Sequence, residues 1–185
     1  MCGEVIDIKK ITLEELEQYA LNSKPLLWDN ARSIGRDVKL YLHWSAGHYG
    51  QFFADYHINI DEDGSIYSST KDFSTMLAHT WHRNTAGIGI ALACCAGATT
   101  NDLGDEPPTK KQIEAMAQVV NVLCKALDLT IDSERVMTHA EAADLDGYGP
   151  QSTCERWDLW FLPGTLKGSG GDILRGKAIW YQNNS

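Results

Sequence analysis

Two apolar runs that each end at a histidine place the strongest constraint on what this chain can fold into. Residues 38–44 predict a buried strand that ends at His43, and residues 135–138 predict a short strand that leads into His139. Both histidines therefore lie where a strand meets a loop. Taken singly, a histidine in such a position is more often a hydrogen-bonded structural residue than a ligand.

One carboxylate completes the set that a hydrolytic metal site requires. Asp158, together with His43 and His139, would supply three protein ligands and leave a fourth position open. Catalytic zinc sites have this arrangement, and the water at the fourth position has its pKa lowered to about 7. The residue types alone leave two interpretations open, a zinc site and a pair of structural histidines.

The remaining strand and helix signals predict an α/β fold. Strands are predicted over residues 56–61, 65–68 and 87–93, with a hairpin turn at 62–64. Helices are predicted from a Thr12 cap to about Leu21, over 51–54, from a Thr109 cap to about Leu127, over 156–161, and from Asp172 to about Tyr181. Strands interleaved with helices indicate a single-domain mixed β-sheet flanked by helices.

Charge and hydropathy exclude two classes of partner. The 185 residues include 16 Lys and Arg against 25 Asp and Glu, a formal net charge of −9. Sequence-independent binding to nucleic acid or to an anionic membrane needs an excess of Lys and Arg. No apolar run approaches the roughly 18 residues that span a bilayer, and the first residues lack the apolar core of a signal peptide. We therefore expect a protein made in the cytoplasm, with no nucleic-acid partner and no membrane span.

The cysteines indicate reduced thiols. The five are irregularly spaced and form no C-x-x-C pair, which argues against a zinc ribbon or a thioredoxin-like site; they are Cys2, Cys94, Cys95, Cys124 and Cys154. A cysteine hydrolase that uses Cys94 or Cys95 is one alternative function. Both residues lie next to a predicted central strand without the sharp turn that exposes a nucleophile, which speaks against it.

Six segments follow one another in an order and at spacings typical of one enzyme family. They are LHWSA (42–46), YHINIDEDGSIY (56–67), AHT (78–80) with Asn84, GIGIAL (87–92), THAEAA (138–143) and RWDLW (156–160). Through them the chain, from about Lys39 to Gly164, resembles the type-2 N-acetylmuramoyl-L-alanine amidases, which include phage amidase lysozymes and peptidoglycan recognition proteins. The resemblance implies an N-terminal helical extension (1–37), a zinc amidase catalytic domain (38–164) and a short C-terminal helix (165–185).

The resemblance also implies a ligand set for Zn²⁺. His43 and His139 correspond to the first two ligands of these amidases. The third is an Asp or Cys two residues after a basic residue, and Asp158 stands two residues after Arg156. Cys154 is the alternative thiolate ligand, although it precedes Arg156 by two residues.

Two further residues acquire catalytic roles from the resemblance. Arg156 stands where the family usually has Lys, and a guanidinium can stabilise an oxyanion but cannot donate a proton. Tyr56 matches a tyrosine that lies beside the metal-bound water in phage-type members, and its alternative is packing on the sheet. Other members carry a Glu in the central strand, where this chain has Ala91.

The remaining site residues are expected around this centre. Trp44, His79 and Asn84 are predicted to contact substrate. Glu141 is predicted to be either a partner or base beside the ligands, or an exposed residue at a helix start.

The expected activity is zinc-dependent hydrolysis of the amide bond between N-acetylmuramic acid and L-alanine in peptidoglycan. A cell-wall lysin of phage or prophage origin, monomeric and acting on peptidoglycan or muropeptides after release from the cytoplasm, fits these observations. The alternative is a peptidoglycan-binding protein of the same fold without catalysis. Retention of Asp158 favours the enzyme, since binding-only relatives typically lose the third ligand.

Overall fold

The structure, a computed structural model, describes residues 8–184. Its strands are β1 (Lys9–Ile11), β2 (Lys39–Trp44), β3 (Ile58–Ile60), β4 (Ile66–Ser68), β5 (Gly87–Leu92) and β6 (Val136–Thr138). They form one sheet with the order β1-β4-β3-β5-β2-β6, in which β6, β2, β5 and β3 run parallel and β4 and β1 add antiparallel pairs. The helices are α1 (Leu13–Ser33), α2 (Lys110–Leu127), α3 (His139–Leu145) and α4 (Gly170–Asn184). The predicted mixed α/β fold is confirmed.

The two faces of the sheet have different characters because side chains alternate along each strand. Leu40 and Leu42 of β2 and Ile88 and Ile90 of β5 belong to the main hydrophobic core. Helices α1 and α2 pack against each other, and their buried side chains join this same core. His43 follows Leu42 and therefore points to the opposite face, away from these helices.

Helix α2 matches its prediction, whereas α1 continues well past its predicted end near Leu21. Pro25 lies inside α1, where its ring disfavours the helix. The buried residues of α1 recur every three or four positions along its full length and include Leu16, Leu27 and Ala31. The burial of this stripe outweighs the local cost of one proline, so the helix ends only at Ser33.

The predicted short helix over residues 51–54 is absent from the structure. The side chain of Asn59 occupies the backbone groups that a helix would use, because its Oδ1 accepts from Phe53 N (3.1 Å) and its Nδ2 donates to Phe53 O (3.0 Å). The segment is an irregular loop held to β3.

The predicted helix over residues 156–161 is also wrong. Leu159 lies in the left-handed region with φ 58° and is fully buried, which interrupts helical geometry. The segment forms a turn instead, with Trp160 N donating to Trp157 O (3.0 Å). A turn at this point directs residue 158 inward.

Helix α4 begins at Gly170, two residues before the predicted cap at Asp172. The first residue of this helix lies very close to a neighbouring turn: a Cβ built on Gly170 would lie 1.8 Å from the carbonyl oxygen of Leu159. A Cβ on Gly171 would lie 2.2 Å from Oε1 of Glu141. Two glycines therefore let α4 dock directly on the 157–160 turn and on α3.

Four cysteines among the described residues are free thiols, namely Cys94, Cys95, Cys124 and Cys154. Cys2 and the residues that bear on a signal peptide lie outside the described range. Within that range, no helix has the length and apolar character needed to cross a membrane.

We expect Gly170→Ala to lower the free energy of unfolding by about 1–3 kcal/mol, because the new methyl group overlaps the Leu159 carbonyl. Urea denaturation of the purified variant measures the change. Gly176→Ala is the matched control in the same helix, since nothing lies within 4 Å of its Cβ position. That variant should gain about 0.5–1 kcal/mol. Equal effects at both positions would contradict the close approach.

Candidate metal centre

Three buried or nearly buried donor atoms converge on the face of the sheet opposite α1 and α2. Nδ1 of His43 lies 3.1 Å from Nδ1 of His139 and 3.3 Å from Oδ2 of Asp158. Nδ1 of His139 lies 3.2 Å from the same carboxylate oxygen. His43 is fully buried, and the side chain of Asp158 is 13% exposed. The three residues predicted as ligands are thus brought together.

Strand pairing explains why the two histidines meet. β2 and β6 are parallel neighbours in which Leu42 pairs with Thr138. The residue that follows each of these two is a histidine. His139 then opens α3, whose cap is a reciprocal pair of hydrogen bonds between Thr138 and Glu141. Neighbouring parallel strands therefore deliver His43 and His139 to one point at their carboxyl ends.

The turn after Trp157 delivers the carboxylate. Trp157 packs edge-on against Trp44, with ring centroids 5.0 Å apart. The backbone N–H of Ala140 in α3 donates to the carbonyl of Asp158 (3.3 Å). The position of Asp158 is therefore fixed by the hydrogen bond to its own carbonyl and by the packing of the preceding residue, Trp157.

The protonation states suit a cation site. Burial lowers the pKa of His43 to about 4, so its ring is neutral at pH 7. Burial alone would raise the pKa of Asp158, but the adjacent His139 and His43 hold it below its usual range, and the carboxylate stays ionised. A neutral imidazole and an ionised carboxylate are the forms that bind metal.

A hydrogen-bonded chain behind His43 determines which nitrogen carries its proton. Nε2 of His79 lies 3.3 Å from the carbonyl of Gly87, which can only accept, so this nitrogen carries the proton. Burial, followed by the neighbouring histidines, lowers the pKa of His79 well below its usual value, so its Nδ1 accepts the Thr80 hydroxyl proton (2.9 Å). Thr80 Oγ1 then accepts from Nε2 of His43 (3.3 Å).

This series of hydrogen bonds leaves the lone pair of His43 on Nδ1, which faces His139 and Asp158. A lone pair that faces an ionised carboxylate is stabilised by a cation between them or by a shared proton. His79, predicted to contact substrate, lines an open pocket beside this centre, although it is only 7% exposed and is bonded through Thr80 to His43. Thr80 is a site residue that the sequence interpretation missed.

His57 is a further buried histidine, and it links two backbone segments near this centre. Its Nε2–H donates to the carbonyl of Thr75 (2.8 Å), and its Nδ1 accepts from the N–H of Gly89 (3.1 Å). Burial lowers the pKa of His57 to about 4. Protonation would remove the acceptor for Gly89, so the neutral ring is the folded form.

Tyr56 lies close to His43, and Arg156 lines a pocket with His139. The ring centroid of Tyr56 is 5.0 Å from that of His43. Burial and the charge of Asp158 raise the pKa of Tyr56, so its hydroxyl keeps its proton at neutral pH. Arg156 is exposed, and its Nη1 donates to the carbonyl of Glu155 (2.9 Å), which leaves other guanidinium N–H groups available.

An open pocket of about 690 Å³ adjoins this centre. His139 and Arg156 line it, together with Asn84, Trp81 and Tyr148. Tyr148 lies in a glycine-rich loop and was not predicted; its ring centroid is 6.2 Å from that of His139. The pocket gives a substrate access to the converging donors.

Asn84 and Trp44, both expected to contact substrate, have different surroundings from each other. Asn84 lines the pocket, and its Oδ1 accepts from the backbone N–H groups of His79 (3.1 Å) and Thr80 (2.8 Å), which fixes this loop. Trp44 is 3% exposed and packs against Trp157 and Phe161 on the core side of the sheet. Its predicted role in substrate binding is corrected to core packing.

The two residues expected beside the ligands are not part of the donor group. Glu141 caps α3 and forms a bidentate ion pair with the buried Arg175 (2.8 and 2.9 Å), so neither of its predicted alternatives describes it fully. Cys154 is half-buried at φ 59° and is not among the three converging residues. The structure therefore favours Asp158 over Cys154 as third donor.

Comparison with known proteins relates the chain to one family. Residues 22–157 match the family model described as N-acetylmuramoyl-L-alanine amidase. Two solved structures from Clostridium intestinale URNW are similar at 16% identity and a TM-score of 0.43. They are the endolysin N-acetylmuramoyl-L-alanine amidase LysCS and the N-acetylmuramoyl-L-alanine amidase LysC; the match covers 57% of this chain and 70% and 71% of theirs. No curated protein matches the chain.

The structure combines a mixed α/β sheet with a cluster of two histidines and one aspartate beside an open pocket. The family match spans well over half of the chain, and the chain belongs to the N-acetylmuramoyl-L-alanine amidase family. Amide hydrolysis in peptidoglycan is the activity of this family. The match ends one residue before Asp158, so the family model does not reach this residue, and only its convergence with His43 and His139 bears on its role.

We expect the metal-free protein to lose stability as the pH falls, in part because of His57. Its pKa is about 4 when folded and near 6.5 when unfolded, so the unfolded chain binds the proton first. The contribution is complete above pH 6.5 and falls between pH 6.5 and 4, by roughly 2 kcal/mol from pH 7 to pH 5. Urea denaturation with chelator at both pH values should show a smaller decline for His57→Gln. A decline as large as that of the wild type would contradict this assignment.

Proposed function

We propose that this chain hydrolyses the amide bond between N-acetylmuramic acid and L-alanine with Zn²⁺ held by His43, His139 and Asp158. The observation that carries the proposal is the convergence of their three donor atoms, each 3.1–3.3 Å from the others, beside an open pocket. Tetrahedral ligands about 2.0–2.2 Å from zinc lie roughly 3.4 Å from one another, which fits this donor set. Two imidazole nitrogens and one carboxylate oxygen are also donors that zinc prefers.

The bound metal would supply Lewis acidity at the amide carbonyl and would lower the pKa of water. Asp158 stays ionised and reduces the net charge of such a centre. The pocket beside His139 would orient the amide, and burial of His43 would keep water from the inner side of the site.

Two side chains would act on the reacting groups. Arg156 places a permanent positive charge at the pocket wall, where it would stabilise the oxyanion of the tetrahedral intermediate. The hydroxyl of Tyr56 keeps its proton and would donate a hydrogen bond to the attacking or leaving group. Proton donation to the leaving nitrogen cannot come from Arg156, which makes Tyr56 the protein group suited to pass a proton.

The biological setting that we propose is cell-wall lysis. The substrate would be peptidoglycan or muropeptides, and a monomer made in the cytoplasm would act on the wall after release. A binding protein without catalysis is the second candidate, favoured by a pocket that would hold the same ligand; the complete donor set argues for the enzyme.

The zinc assignment is tested by metal content and by activity on the same preparations. Elemental analysis should find close to one zinc per wild-type chain and a loss of zinc in Asp158→Ala and His139→Ala. Release of L-alanine-linked stem peptides from purified sacculi should disappear in both variants and on chelation, and zinc should restore the chelated wild type.

Cys154→Ser is the matched control and should keep both zinc and activity. Loss of zinc in Cys154→Ser, together with retention of zinc in Asp158→Ala, would show that Cys154 and not Asp158 is the third ligand. Binding of sacculi without release of peptides by the zinc-loaded wild type would support the binding protein instead.

We expect Thr80→Val to weaken zinc binding about 10- to 100-fold, because Nε2 of His43 loses the acceptor that holds its proton. Competition with a chromogenic chelator measures this affinity. Thr80→Ser keeps the hydroxyl and should bind zinc within about threefold of the wild type. If valine and serine behave alike, the hydroxyl has no role in orienting the ligand.

A further inference from the structure

The wall of the pocket carries an indole ring that the fold does not bury. Trp81 is 62% exposed and lines the same pocket as His139 and Arg156. A large aromatic side chain usually contributes to stability by burial, and an exposed one beside a site is a candidate for ligand contact. Neither the ligand set nor the two catalytic residues account for its position.

The neighbours of Trp81 leave most of this residue exposed. Tyr148 meets it at a centroid distance of 5.7 Å and an interplanar angle of 80°, and His82 meets it at 3.8 Å and 67°. Neither ring stacks parallel on the indole. Tyr148 also contacts His139, so a single aromatic ring separates Trp81 from a donor of the metal centre.

The segment that carries Trp81 is held in place on both sides. Before it, Asn84 accepts from the backbone of His79 and Thr80. After it, Arg83 forms a bidentate ion pair with Asp146 (2.6 and 2.7 Å). This pair joins the loop of Trp81 to the loop of Tyr148. Trp81 is therefore presented by an anchored loop, which lowers the entropic cost of contact with a ligand.

We propose that Trp81 stacks on a sugar ring of the glycan strand. This inference rests on the proposed function for the substrate. A pyranose ring offers an apolar face of C–H groups that matches a flat indole, whereas the stem peptide is built from small and charged residues. Glu155, beside Arg156 in the same pocket, adds a carboxylate that can accept sugar hydroxyls but would repel peptide carboxylates.

The test measures binding of a peptide-free oligosaccharide of alternating N-acetylglucosamine and N-acetylmuramic acid, by calorimetry, to the zinc-loaded chain. Trp81→Ala should weaken binding about tenfold, and Trp81→Phe should retain most of it. Trp180→Ala is the matched control, because Trp180 is 59% exposed on α4 and lies outside this pocket. It should bind as the wild type does.

Kinetics on sacculi give a second measurement. Trp81→Ala should raise KM and leave kcat within about twofold, since the ring does not touch the scissile bond.

Undetectable binding of the glycan by the wild type would overturn the inference, as would equal binding by Trp81→Ala. Loss of free stem-peptide binding in Trp81→Ala, with the glycan still bound, would also overturn it and assign the ring to the peptide. Glycan binding that depends on Trp81 without any release of peptide would instead contradict the proposed function and leave this inference standing.

Discussion

The parallel pairing of β2 with β6 is the interaction on which the site depends. The pairing of Leu42 with Thr138 makes the following residues, His43 and His139, neighbours at the carboxyl end of the sheet. A shift by one residue would turn His43 into the hydrophobic core and separate the donors. The apolar side chains of β2 prevent that shift, because Leu40 and Leu42 are fully buried on the other face. Core packing thus fixes the geometry of the site.

The histidine-bearing face of the sheet has room for its rings because β5 is built from small residues there. A Cβ on Gly89 would lie 2.6 Å from the ring of His79, and one on Gly87 would lie 2.9 Å from the ring of Tyr41. Ala91, which is also in β5, is the residue that pairs with His43 of β2. The small residues of β5 therefore let His79 approach the sheet closely enough for Thr80 to reach His43.

Local patterns predicted the parts of the structure that local patterns determine. The strand that carries His43, the helix that Thr109 caps and the three converging residues follow from apolar spacing, capping residues and the resemblance. The course of α1 through Pro25, the turn at Leu159 and the loop held by Asn59 depend on tertiary burial and on hydrogen bonds from distant residues. Thr80 lies in one of the segments that carry the resemblance, but its role could not be predicted, because it exists only when His43 and His79 both bond to its hydroxyl.

The docking of α4 has a consequence for the order in which the molecule is completed. Gly170 lies against the carbonyl of Leu159, one residue after Asp158, and Arg175 of the same helix bonds to Glu141 of α3 and to the carbonyl of Val136. The positions of His139 and Asp158 therefore depend on contacts from a helix that follows both of them in the chain and emerges from the ribosome after them.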